Sequence, residues 1–245
     1  MLYTAKTDVG KVRTHNEDSV YAAREAAYEL YAVADGMGGH QGGETASKMA
    51  IDGLSNLVGE YAPQMRDDGL LLRRAVGETN RNIFQQASRE PGLYGMGTTL
   101  TCAFLRGGIL TIAHVGDSRA YMLRKGVFVQ LTQDHSYVAE LVRMGQLTAQ
   151  EARTHPQRNI IIRALGSESS VRADIETVQI RAQDMFLLCS DGLTNHVGDE
   201  QMRQVLLTEG TLAAKADRLI DMAIEGGGSD NISVVLLKAQ EGEGA

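Results

Sequence analysis

The sequence predicts an α+β domain built from antiparallel sheet and packed helices. Short apolar, β-branched runs recur along the chain, and some are joined by turns tight enough for hairpins. The amphipathic helical segments come in blocks instead of following every strand, which argues against a doubly wound parallel sheet. With 245 residues, 43% of them hydrophobic, the chain can bury a sizeable core without disulfides. It holds only 3 Pro and no repeat or low-complexity block, so a single domain is expected over residues 1–240, followed by a disordered tail, residues 241–245.

Taken in chain order, LYTAKT, SVYAA and ELYAVA read as strands. The stretch VADGMGGHQGGETASKMA, residues 33–50, ends an apolar run with an acid, spends five glycines in eight residues and becomes helical. Ala46, Met49, Ala50, Gly53, Leu54, Leu57, Val58 and Tyr61 mark one face of that helix, and Leu72, Ala75, Val76, Thr79, Ile83, Phe84 and Ala87 mark a second. TTLTCAFL and ILTIAHV form a hairpin around Arg106-Gly107-Gly108, as do AYMLR and VFVQL around Lys125-Gly126. Ser136 to Ala152 reads as two short helices broken at Gly145, with Thr148 as N-cap before Glu151. ETVQI and MFLLCS are strands, residues 198–225 a third helical stretch, and NISVVLLK the last strand. Cys102 and Cys189 sit inside apolar runs and read as reduced core thiols.

A formal charge of −7 gives no electrostatic footprint for nucleic acid. No signal peptide and no 18-residue apolar span is visible, so a cytoplasmic protein without membrane contact is expected. An anionic substrate would need local neutralisation by a few Arg or by metal ions.

The placement of Asp is the informative feature. Asp18 precedes SVYAA, Asp35 closes ELYAVAD, Asp117 closes ILTIAHVGD, Asp191 closes MFLLCSD, and Asp230 precedes NISVVLLK. Taken singly, each reads as an ordinary turn former. A two-residue Asp-Gly hairpin needs a partner strand, however, and Asp35-Gly36 and Asp191-Gly192 are followed by helix-like sequence. Carboxylates converging on one mouth would repel unless protonated or bridged by cations. Oxygen donors without a Cys/His cluster select hard ions such as Mg²⁺ or Mn²⁺. Two such ions sharing a carboxylate can hold a bridging hydroxide. Glycines beside Asp35 would let the Gly36 carbonyl approach an ion. A P-loop needs Gly-Lys-Ser/Thr where this loop has Gly-Gly-Glu, and a dinucleotide fingerprint needs glycine at Gln41.

RTHNEDS, VADGMGGHQGGE, GTTL, HVGDSRAY, LTQDHS, LLCSDGL and GGSDNISVV, in this order over residues 3–237, resemble the motif series of the metal-dependent (PPM) protein phosphatases, the type 2C serine/threonine phosphatases, and above all their bacterial stand-alone members. The resemblance implies a central sandwich of two antiparallel sheets flanked by helices. It implies hydrolysis of phosphoserine and phosphothreonine by a metal-bridging hydroxide without a phosphoenzyme, and two Mn²⁺ or Mg²⁺ ions. Asp35 would bridge them, the Gly36 carbonyl would bind one, and Asp191 and Asp230 the other. Glu17 and Asp18 fall at the family's acidic pair, and Asp117 with Asp191 at the third-metal site of bacterial members. Arg13 matches the phosphate-holding arginine. Many eukaryotic members carry His directly after Asp-Gly as general acid; Met37 stands there in this chain, which leaves His40, directly or through water, or a water itself as the proton donor. Residues 136–165 correspond to the flap beside the active site. The partners implied are phosphorylated proteins and an opposing Ser/Thr kinase, with the chain acting as a monomer.

Other readings remain. A catalytically silent phosphopeptide-binding module would have lost some of these acids, and a phosphatase dedicated to one signalling substrate would often carry an added domain. Arg13 alone reads as a surface arginine, His114 as a hydrogen-bonded core residue, and Thr98 and Thr99 as residues of strand packing and hydrogen bonding; His15, His135, His155 and His196 receive no role.

Overall fold

The computed structural model describes residues 1–38 and 40–240, the side chain of His40 excepted. The expected tail, residues 241–245, lies outside the described residues. In chain order the elements are β1 (Leu2–Asp8), β2 (Asp18–Arg24), β3 (Glu29–Met37), α1 (His40–Tyr61), α2 (Asp68–Arg89), β4 (Gly97–Thr98), β5 (Leu100–Arg106), β6 (Ile109–Val115), β7 (Arg119–Arg124), β8 (Val127–Gln130), α3 (Tyr137–Arg143), α4 (Ala149–Thr154), β9 (Asp174–Gln179), β10 (Met185–Cys189), α5 (Asp191–Thr194), α6 (Asp199–Leu207), α7 (Leu212–Glu225) and β11 (Ile232–Lys238). One sheet runs β1-β11-β10-β7-β8; the other runs β2-β3-β5-β6-β9, with β4 attached to β3. The described strand pairs are antiparallel, and the two hairpins expected around residues 106–108 and 125–126 join β5 to β6 and β7 to β8.

The continuous apolar runs follow from burial on both faces. In β3, Leu30, Ala32 and Ala34 pack outward with α1 and α2, whereas Tyr31 and Val33 point into the space between the sheets. In β11, Val235 and Leu237 enter that same layer, and Val234 and Leu236 face the opposite side, where Leu193, Met202, Leu219 and Ala223 of α5, α6 and α7 cover them. Strands covered twice read as unbroken hydrophobic sequence, and period-two alternation becomes visible only when the two cores are separated. The result is the expected sandwich with helices on both outer faces.

The helical faces predicted from Ala46 to Tyr61 and from Leu72 to Ala87 contribute buried residues to one core. Asp67 caps α2 by accepting the Leu70 N–H at 2.9 Å. Thr148 and Glu151 form a reciprocal capping box at α4, and Gly145 takes φ +72 between α3 and α4. The single helical stretch expected over 198–225 is two helices, because Gly210 at φ +125 turns the chain between α6 and α7. No helix among the described residues is long and apolar enough to cross a membrane.

Burial pushes the thiols of Cys102 and Cys189 up to about 12. Both should therefore resist a thiol reagent in the native protein and react together on unfolding; fast labelling of either in buffer would contradict their placement.

A candidate metal centre at the strand ends

Antiparallel pairing brings the C-terminal ends of β3, β6 and β10 to the same edge as the N-terminal ends of β2 and β11. That edge opens into a cavity of about 300 Å³ lined by Arg13, Glu17, Asp35, Gly36, Asp117, Asp191 and Asp230, with Asn159 and Ile161 closing one side. Register aligns the acids within each sheet, and the packing of the two sheets face to face brings Asp35 and Asp117 of one beside Asp191 and Asp230 of the other.

Each acid is held by its own local structure. Asp35 lies within β3 instead of closing it, because the strand runs on through Gly36 and Met37 to pair with β4. Its backbone is clamped: the Asp35 N–H donates to Thr99 Oγ1 at 2.9 Å, and its carbonyl accepts from Thr98 Oγ1 and from the Thr99 N–H, each at 2.9 Å. Asp18 stands opposite Asp35 in the β2–β3 register, an arrangement of like charges that paired strands disfavour. Asp18 lies buried beneath the cavity with Oδ2 accepting from Ser190 Oγ at 2.8 Å, whereas Glu17 faces the cavity. Asp191 is the first residue of α5, and Asn195 Nδ2 donates to its Oδ2 at 3.0 Å. Asp230 Oδ2 accepts from Arg13 at 2.9 Å, so the guanidinium is already aimed at the acids. The side chain of His40, the expected proton donor, lies outside the described residues.

The glycines beside Asp35 answer a packing need. A Cβ on Gly36 would lie 2.1 Å from the Gly43 carbonyl oxygen, and a Cβ on Gly43 would lie 2.8 Å from Glu17 Cδ. They let the first turn of α1 rest on the end of β3, which places Glu17 and Asp35 together.

The supports around the acids went unread in the sequence. Asn231, buried at 3% exposure, accepts the Glu17 N–H at 2.8 Å and donates to the carbonyls of Val9 and His15 at 3.0 and 2.9 Å, tying the loop that carries Arg13 to the start of β11. Ser190 also accepts the Ser233 N–H at 2.9 Å. The signals were the Asn and Ser beside Asp230 and Asp191, but nothing in a short polar triplet says which distant backbone it will hold.

Crowding leaves a clear electrostatic mark. Burial first, and then the charges of Asp18, Asp191, Asp117 and Asp230, hold the Asp35 carboxyl well above the usual range. Burial and Asp191 do the same to Asp117, and burial with Asp230 raises Asp191, partly offset by hydrogen bonds from Asn195 and Asp35. Asp18 is pushed up to about 7, chiefly by burial, against the opposing hydrogen bonds of Ser233 and Ser190.

These residues fit hard divalent cations. The donors are oxygen only, Asp18 Oδ1 and Asp117 Oδ1 are buried without a hydrogen-bond partner, and the acids favour any positive charge that relieves their repulsion. Among the described residues no three His, Cys, Asp or Glu side chains stand ready to hold an ion as they are. Instead they engage one another and Arg13, so coordination must replace the Asp35–Asp191 and Arg13–Asp230 contacts.

The chain belongs to the protein phosphatase 2C family, whose model matches residues 10–223. It is 43% identical over 237 residues to the serine/threonine phosphatase stp of Listeria monocytogenes, covering 95% of this chain and 94% of that one. The crystal structure of the Mycobacterium tuberculosis serine/threonine phosphatase PstP/Ppp superposes with a TM-score of 0.90 at 43% identity, covering 98% of this chain and 99% of that one. The catalytic domain of PstP in complex with 2 manganese ions matches with a TM-score of 0.86 at 41% identity over 98% of each chain.

Proposed function

We propose that this chain is a metal-dependent phosphatase of phosphoserine and phosphothreonine in proteins, working in the cytoplasm against a Ser/Thr kinase as a single domain over residues 1–240. The observation that carries the reading is the meeting of Glu17, Asp35, Asp117, Asp191 and Asp230 around one cavity with Arg13 at its rim, in a member of a phosphatase family.

Asp35, the Gly36 carbonyl, Asp191 and Asp230 are the groups that would hold two Mn²⁺ or Mg²⁺ ions, with Asp35 as the ligand they would share. Glu17 faces the cavity and Asp18 lies behind it, which favours Glu17 for contact with a coordinated water and Asp18 for support from beneath. Asp117 with Asp191 forms the proposed third position. When bound, the cations supply a water of lowered pKa and charge to neutralise phosphoryl oxygens. Arg13 exchanges Asp230 for the substrate phosphate, whose geometry suits its fork of donors. His40 is the proposed donor of the proton to the leaving serine or threonine oxygen. Residues 136–165 form the flap, and Asn159 and Ile161 bring its return limb to the cavity wall.

The test is hydrolysis of a phosphothreonine peptide by the protein stripped of metal and then given Mn²⁺. Activity should vanish with exhaustive chelation, return with Mn²⁺, and leave no acid-stable phosphoprotein. Full activity after chelation would overturn the reading.

A further inference from the structure

The flap begins immediately after His135, and this residue joins three parts of the molecule. The residue is 5% exposed, and its ring stacks on His114 with centroids 4.8 Å apart. Nδ1 accepts the Gly116 N–H at 3.0 Å, while the His135 N–H donates to the Gly116 carbonyl at 2.7 Å, so one residue grips both ends of Gly116. Gly116 takes φ +111, and a Cβ there would lie 2.6 Å from the Thr99 side chain. The next residue is Asp117, whose buried Oδ1 has no partner. At the other end of the ring, Nε2 lies 3.1 Å from Asp174 Oδ2 and 2.8 Å from Arg163 Nη1, which itself donates to Asp174 Oδ1 at 2.9 Å, so that edge of the imidazole is held in the Arg163–Asp174 ion pair. The His135 carbonyl accepts the Ile162 N–H at 2.9 Å, which anchors the flap limb carrying Asn159 and Ile161.

We propose that His135 is a positioning residue: through Gly116 it sets the Asp117 carboxylate for a divalent cation on the Asp117–Asp191 side of the cavity, and through its carbonyl it fixes the flap limb to the same point. The inference rests on the proposed metal role of Asp117. A histidine that merely fills the core would also be buried and hydrogen-bonded, so the two nitrogens must be separated. Asn at position 135 places an amide oxygen near Nδ1 and keeps the Gly116 bond; Gln reaches toward Asp174 and leaves the Gly116 N–H unpaired.

The experiment is Mn²⁺ titration by calorimetry, with a thermal melt of each sample, on wild type, His135→Asn, His135→Gln, His135→Ala and Asp117→Asn. Asp117→Asn should lose the weakest class of Mn²⁺ sites. His135→Gln and His135→Ala should weaken that class about tenfold, as loss of a support behind a ligand does, while His135→Asn holds it near wild type. If Asp117→Asn binds Mn²⁺ as wild type does, the metal role of Asp117 falls and the inference falls with it. If Asp117→Asn loses the site and His135→Ala keeps it, or if the Asn and Gln variants weaken it equally, the positioning role alone is overturned. His135→Ala keeps the test decisive should the Gln variant not fold.

Discussion

Asp35→Asn is expected to lower kcat/KM for a phosphothreonine peptide in Mn²⁺ by about a thousandfold or more, close to 4 kcal/mol of transition-state stabilisation. Asn matches Asp in size and keeps the backbone clamp on Thr98 and Thr99, so the loss would be one of charge and coordination. Stability in the absence of metal should move the other way. The folded protein holds the Asp35 carboxyl well above the ordinary range, through burial and four neighbouring acids. Between the ordinary and the raised value the folded state keeps a proton that the unfolded chain has released, so wild-type stability falls as pH rises through that window. The neutral amide has no such dependence. In chelator the variant should therefore melt above wild type at about pH 8, and the gap should shrink as the pH approaches about 4. Asp191→Asn should behave alike, with a smaller stability gain because Asn195 already offsets part of its crowding. Loss of activity together with a lower melting temperature at about pH 8 would mean that the fold, and not the charge, had been damaged.

The contrast between Asp35 and its supports shows what a sequence can display. Strands, hairpins and the acids at their ends were legible because period and turn chemistry are local properties. β4 was not separable from β5, since its two residues differ from their neighbours only in pairing with Gly36 and Met37. Glu17 and Asp18 are adjacent and chemically alike, and only distant partners separate them: Asn231 accepts the Glu17 N–H where that residue faces the cavity, while Ser190 donates to the buried Asp18. The sequence suggests that the glycines after Asp35 leave room for ions; in the fold a Cβ at Gly36 would meet the backbone of Gly43 and Glu17, at Gly38 and Gly42 the Met96 segment, and at Gly43 the Glu17 side chain. His135 lacked ligand spacing to any other histidine because its partners, Gly116 and Asp174, stand 19 and 39 residues away.

The same substitution at two glycines should have opposite signs. In Gly36→Ala the new methyl meets the Gly43 carbonyl oxygen at 2.1 Å and the Glu17 carbonyl oxygen at 2.7 Å. Both obstacles are backbone, so no rotamer can relieve them, and either the first turn of α1 lifts off β3 or the Gly36–Thr98 pairing opens. Overpacking of this kind costs about 3 kcal/mol, which for a chain of this length lowers the melting temperature by roughly 6 to 12 °C. The displacement also separates Glu17 from Asp35, so activity should fall along with stability. At Gly77, inside α2, an added Cβ meets nothing within 4 Å. There alanine relieves the entropic cost of glycine in a helix and should raise stability by about 0.5 to 1 kcal/mol with activity unchanged. Thermal melts and phosphopeptide assays on the pair decide the matter. A Gly36→Ala protein that melts with wild type would show that the β3–α1 junction yields more easily than close backbone packing allows, and the glycines would then need another reason.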